Sequence, residues 1–147
     1  MTYQEQKARE YLRTQIQTAS REQLVLMLYD GAIRFSEQAK EKVEGSDVEG
    51  GHRLFLRAQN IVLELLYALD RENGGEIAAN LAGLYTYMYN QLVEANVYKD
   101  TGRVDRVTSL LRSLRDAWAG AITQVRGGSA QGGEAEAGAA PALGAAH

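Results

Sequence analysis

The amino-acid sequence predicts an all-α protein: an antiparallel up-down-up-down four-helix bundle with a short N-terminal segment and a disordered C-terminal tail. Four consecutive segments carry apolar residues at spacings of three and four, the period of an amphipathic helix. The sole proline is Pro141, so no proline interrupts these segments. Because the connections are short, neighbouring helices should be antiparallel, and we divide the chain into residues 1–19, a bundle at 20–126 and a tail at 127–147.

Length and composition fit one globular domain. The chain has 147 residues, 45% apolar and 24% charged, close to globular averages. A net charge of −3 argues against binding to nucleic acid or an anionic membrane. The chain has no cysteine, which excludes disulfides and thiolate chemistry. It shows no signal-like leader and no apolar run of membrane-spanning length, so we expect a cytoplasmic protein.

The first predicted helix begins at a capping box, in which Ser20 is followed three residues later by Gln23. It should end near the stretch EGSDVEGG. Its apolar seam comprises Val25, Leu28, Ala32, Phe35, Ala39 and Val43.

The second helix should end at the stretch DRENGG, where Gly74 suits a left-handed position past a helix end. Its seam comprises Leu54, Ala58, Ile61, Leu65 and Leu69, with Phe55, Val62 and Leu66 beside it.

The third helix contains the stretch LYTYMYNQL, whose tyrosines alternate as they would in a β-strand. No turn signal interrupts the seam of Ile77, Leu81, Leu84, Met88, Leu92 and Ala95, so the stretch is predicted to be helical. At about 100° per residue, Tyr85 and Tyr89 then share a face and Tyr87 points away from them. We expect Tyr85 and Tyr89 to pack in the core, and Tyr87 to face a partner.

The fourth helix should be capped by Asp100 or Thr101. Its seam comprises Val104, Val107, Leu111, Leu114, Trp118, Ile122 and Val125, which predicts a core role for Trp118. From Gly127 onward the chain is rich in glycine and alanine without an apolar period, and we predict that it is disordered.

No pattern in the sequence indicates catalysis, a metal site or a cofactor. The histidines are His52 and His147, without the spacing that zinc or a di-metal bundle requires. The helices do carry more apolar width than one core needs, which favours a groove for a partner helix. An alternative is that the bundle buries these broad stripes itself, or in a homodimer.

The candidate partner-binding residues come from three parts of the chain. They are Tyr11 and Ile16 before the first cap, Met27 and Tyr29 in the first helix, and Asn80, Leu84 and Tyr87 in the third. We hypothesise that Tyr11 and Ile16 cover part of the groove in the free protein.

The stretches YLRTQIQTASREQLVLMLYDGAIRF and GGEIAANLAGLYTYMYNQLVEAN, followed by LLRSLRDAW, resemble the flagellar secretion chaperone family, FliS. The resemblance spans roughly residues 11–120. It implies a cytosolic helical bundle that binds the C-terminal region of flagellin, prevents premature polymerisation, contacts a component of the flagellar export gate and needs no cofactor. It is compatible with a monomer or weak dimer. Thr86 departs from the family pattern, which commonly has an acid there, and the Gly/Ala tail is not a family feature.

Overall fold

The computed structural model describes residues 2–18 and 20–130, with side chains placed for residues 2–14 and 20–124. Its elements are five α-helices: α1 (Tyr3–Thr18), α2 (Arg21–Glu44), α3 (Val48–Tyr67), α4 (Gly75–Tyr98) and α5 (Gly102–Ala130). The described residues contain no strand, which confirms the all-α prediction. The helix number differs from expectation, because the N-terminal segment is itself a helix of 16 residues.

Helices α2 to α5 form the bundle. Each packs against the next along the chain, and α5 packs against α2, which closes a ring of four. Contacts between α2 and α5 run in opposite senses: Glu22 meets Trp118 near one end and Lys40 meets Asp105 near the other. The two helices are therefore antiparallel, as short connections require.

Local signals define most helix ends. Ser20 accepts a hydrogen bond from the Gln23 backbone and the Gln23 side chain accepts one from Ser20, so the predicted capping box is present. The end of α2 is followed by Ser46 at φ 68°. The prediction for Gly74 is wrong: α3 already ends at Tyr67, and the positive φ, 58°, belongs to Gly75.

The C-terminal helix runs further than expected. Helix α5 continues to Ala130, four residues beyond the predicted boundary at Arg126. The remainder of the predicted disordered tail, residues 131–147, lies outside the described residues.

The core lies on the axis of the ring. Its largest fully buried side chains are Tyr29, Tyr85, Phe55, Leu65, Met88, Leu92 and Leu111. Trp118 is 3% exposed and its indole N–H donates to the Glu22 carbonyl at 2.9 Å, which confirms its predicted core role. Tyr85 is buried as predicted, and Tyr89 is half-buried against the core.

Candidate protein-binding site

A groove of about 360 Å³ opens between α2 and α3. Its walls are mainly apolar, with one charged side chain from each helix. The lining residues are Leu12, Leu24, Met27, Leu28, Gly31, Arg34, Phe35, Ile61 and Glu64. A concave, largely apolar surface of this size is typical of a binding site.

The groove exists because α2 carries two apolar faces. One face, with Val25, Tyr29 and Ala32, lies in the core. The other is only half-buried and includes Leu28 and Phe35, which the sequence pattern had placed in the core seam. The apolar arc of α2 is thus wider than the bundle can cover, and the uncovered part forms one wall.

Gly31 permits the close approach of α2 and α3 at this groove. A Cβ atom built at this position would lie 3.1 Å from Ile61 Cδ1, tighter than ordinary van der Waals contact. Since glycine has no side chain there, the methyl end of Ile61 contacts the backbone of α2 directly. Gly31 thus leaves a gap in the α2 wall of the groove, between the side chains of Leu28 and Phe35.

The two ends of the groove carry opposite charges. Arg34 and Arg57 both lie against the ring of Phe35, with guanidinium carbons 4.9 and 5.6 Å from its centroid. Ile61 lies opposite Gly31, and Glu64 comes one turn later on α3. Because α3 runs antiparallel to α2, Glu64 lies towards the Leu24 end, away from the two arginines.

The opposite side of α2 is closed by ion pairs. Asp30 pairs with Arg115 at 2.8 Å, Glu37 pairs with Arg112, and Lys40 pairs with Asp105 at 2.8 Å. Within the described part of the chain, by contrast, Arg34, Arg57 and Glu64 have no partner at ion-pair distance.

Of the predicted residues in α2, Met27 lines the groove and Tyr29 does not. The prediction that Tyr29 binds a partner is wrong, because its side chain is fully buried. Its hydroxyl is hydrogen-bonded to that of Tyr85 at 2.5 Å, across the core from α4. This bond satisfies both hydroxyls, which explains how two tyrosines can lie in an apolar core.

Burial also changes the acidity of this tyrosine pair. Loss of solvent around the phenolate raises the pKa of Tyr29 to about 12, an effect that its hydrogen bond to Tyr85 partly opposes. Burial raises the pKa of Tyr85 as well, and the neighbouring Tyr29 raises it further. Both hydroxyls are therefore neutral at physiological pH, and the pair is structural.

The predicted residues of α4 form a separate surface. Asn80, Leu84 and Tyr87 are four and three residues apart, so they share the face of α4 that turns away from buried Tyr85. Asn80 is exposed, Leu84 half-buried and Tyr87 44% exposed. Because α4 lies across the ring from α2, the structure does not bring these residues together with Met27.

In the N-terminal helix, the residue that reaches the groove is Leu12. Tyr11 is 71% exposed and does not line this groove, so its role in covering a site or binding a partner stays a prediction. Neighbouring residues of a helix point about 100° apart, which explains the different positions of Tyr11 and Leu12. Ile16 lies in α1, but its side chain is outside the described residues.

Sequence reasoning missed most of the groove wall. Leu28, Phe35 and Ile61 were assigned to the core, while Arg34 and Glu64 were not selected at all. The available signal was the width of the apolar arc in α2, since Leu24, Met27 and Tyr29 lie outside the predicted seam that holds Leu28 and Phe35.

The described residues contain no cluster of histidine, cysteine or carboxylate side chains that could hold a metal ion. None of the described helices combines the length and apolar content needed to cross a bilayer.

The fold and the groove define a class of protein: an antiparallel helical bundle with an apolar groove, the kind of surface into which amphipathic helices can dock. The family model "Flagellar protein FliS" matches residues 3–125. This chain belongs to the FliS family of flagellar secretion chaperones.

Relatives from three bacteria are each named flagellar secretion chaperone FliS. The Bacillus subtilis protein is 37% identical over 79% of this chain and 86% of its own length. The Salmonella typhimurium protein is 39% identical over 70% of this chain and 77% of its own length. The Escherichia coli protein is 35% identical over 70% of this chain and 76% of its own length.

Proposed function

We propose that this protein binds the C-terminal region of flagellin in the cytoplasm, prevents its premature polymerisation and assists its delivery to the flagellar export apparatus. Membership of the FliS family supports the assignment as a chaperone. The observation that carries the binding proposal is the apolar groove between α2 and α3.

The groove suits an amphipathic helix. Leu24, Leu28 and Phe35 span twelve residues of α2, and the eleven steps of 1.5 Å between the first and the last cover about 16 Å, or three helical turns. A helix that lays its apolar stripe along this wall removes that stripe from self-association. The effect is mass action, because the bound fraction of flagellin cannot polymerise, and it needs no nucleotide or cofactor.

Helix α1 is proposed to cover this site in the free protein. Leu12, although 47% exposed, lies with Leu24 and Met27 in the groove, and the other described side chains of α1 are exposed as well. One apolar side chain is a weak hold, so an incoming helix with a longer apolar stripe can displace it.

Two further parts of the proposal concern other surfaces. The face of α4 with Asn80, Leu84 and Tyr87 is proposed as an additional contact for the partner, since it presents an exposed aromatic ring. A component of the export gate is the second partner that the family implies.

The test is complex formation between purified protein and flagellin, measured by size exclusion with light scattering. We expect a soluble 1:1 complex. In the variant Met27→Asp, a carboxylate on the half-buried groove wall would be desolvated by the incoming helix and should weaken binding at least tenfold. The matched control Val97→Asp makes a similar change at an exposed position of α4 outside the groove and should bind normally. A stable homodimer that ignores flagellin would contradict the proposal and support the alternative of a self-associating bundle.

A further inference from the structure

The groove between α2 and α3 has a defined electrostatic direction, set by three charged side chains that have no ionic partner among the described residues. Arg34 and Arg57 bracket the ring of Phe35 at one end, each within 6 Å of the ring centroid. Glu64 lines the groove one turn of α3 beyond Ile61, on the side towards Leu24. On the other side of α2, charged side chains form ion pairs with α5. Charged residues of α2 are therefore not unpaired in general.

Helix α1 does not neutralise these charges. It contributes Leu12 to the groove, and no described carboxylate of α1 lies within ion-pair distance of Arg34 or Arg57. Charges left unpaired beside an apolar surface favour a ligand of complementary charge, because the ligand partly desolvates them when it binds.

A helix is itself such a ligand, since its peptide dipoles place about half a positive charge at the N-terminus and half a negative charge at the C-terminus. We infer that the groove binds an amphipathic helix parallel to α2, with its C-terminal end beside Arg34 and Arg57 and its N-terminal end beside Glu64. This inference rests on the proposed function, and the occupant is a helix of the C-terminal region of flagellin.

The three charges are expected to set the direction of the bound helix, whereas most of its affinity comes from the apolar wall. The apolar wall of Leu24, Leu28 and Phe35 has no polarity along its length, so it accepts a helix in either sense. In the inferred sense both ends of the dipole meet an opposite charge, and in the reverse sense both meet a like charge. Direction is therefore decided by three side chains at the ends of the site.

Site-specific cross-linking reads this direction, because the chain has no cysteine of its own. Gln38 lies one turn beyond Arg34, and Ala68 lies one turn beyond Glu64. Full-length variants Gln38→Cys and Ala68→Cys are mixed with a flagellin C-terminal peptide carrying one cysteine near either its N-terminal or its C-terminal end. We expect the C-terminal cysteine to react with Gln38→Cys and the N-terminal cysteine with Ala68→Cys. The opposite pattern, or equal reaction with both, would overturn the inference.

Charge exchange provides the second arm. The variant with Arg34→Glu, Arg57→Glu and Glu64→Arg should reverse the cross-linking pattern, and the pair Arg34→Glu with Arg57→Glu should weaken binding about tenfold at low salt. Arg106→Glu is the matched control, since Arg106 is an exposed arginine on α5, and it should change neither result.

An unchanged cross-linking pattern in the charge-exchanged variant would show that the three charges do not set the direction of the bound helix. A peptide that binds none of these proteins, including the unmodified chain, overturns the proposed function itself, whereas binding without a preferred direction overturns this inference alone.

Discussion

The two sides of α2 are held by different interactions. Towards α5, helix α2 is joined by three ion pairs and by the hydrogen bond from Trp118 to the Glu22 carbonyl. Towards α3, the contact at Gly31 and Ile61 is apolar, and a groove opens beside it. The first seam pairs its charges across the two helices, whereas the second leaves apolar side chains half-buried and, among the described residues, three charges without an ionic partner.

The difference shows how one helix can serve stability on one side and binding on the other. Partly exposed ion pairs contribute little free energy each, but they fix the register of α2 against α5. A helix fixed in this way can leave an apolar stripe uncovered without the bundle rearranging to bury it. We therefore expect changes on the α5 side to alter the free energy of unfolding, and changes on the α3 side to alter affinity.

The largest effect is expected at Trp118, on the α5 side. Trp118→Ala empties a large buried site and should lower the free energy of unfolding by roughly 3–5 kcal/mol, measured by urea denaturation. Trp118→Phe retains most of the ring and should lose much less. If Trp118→Ala instead lost flagellin binding at unchanged stability, the indole would belong to the binding site and the contrast between the two seams would fail.

The next largest effect is expected at the buried pair of Tyr29 and Tyr85, which joins α2 to α4 in the core. The ordinary phenol pKa is 10, and burial raises the pKa of Tyr29 to about 12. Between these values the unfolded chain releases the proton and the folded chain keeps it. The free energy of unfolding should therefore fall as pH rises through this range, by about 2–3 kcal/mol for Tyr29.

The control for this prediction removes both hydroxyls, because removing one would leave its partner unsatisfied. The double variant Tyr29→Phe and Tyr85→Phe should show a shallower decline of stability between pH 10 and pH 12. Equal slopes in the two proteins would mean that the pair is not neutral and buried in the folded state.

A smaller effect is expected where α1 meets the groove. Leu12→Ser removes the side chain of α1 that reaches this site, so a larger fraction of molecules should be open. Affinity for flagellin should then rise by several-fold, about 1 kcal/mol, with an unchanged melting temperature. Tyr11→Ser is the matched control, because Tyr11 is exposed and outside the groove. Weaker binding by Leu12→Ser would show that α1 contacts the ligand instead of competing with it.

The smallest effect is expected at the ion pairs between α2 and α5. Arg115→Gln breaks the pair with Asp30, whose side chain is 47% exposed, and should cost no more than about 1 kcal/mol after solvent screening. Added salt should reduce the difference between variant and parent. A loss several times larger would mean that this seam, and not the core, dominates the stability of the bundle.

The sequence alone predicts the four helices of the bundle and both ends of α2, whereas α3 and α5 end at other residues than expected. The apolar period marks α2 to α5, and the capping box at Ser20 and Gln23 starts α2 through contacts between residues three apart. These features are local, so neighbouring residues suffice to specify them. Helix α1 was not predicted, because its described side chains, residues 3–14, form no buried apolar stripe.

The tertiary structure decided which of two adjacent apolar residues faces the core. Leu28 and Tyr29 lie about 100° apart on α2, and both fall within its broad apolar arc. Tyr29 is buried because Tyr85, 56 residues away, supplies a partner for its hydroxyl, and this rotation turns Leu28 towards α3. The groove and its charged ends follow from that rotation, which depends on contacts between distant residues and is absent from the period of any single helix.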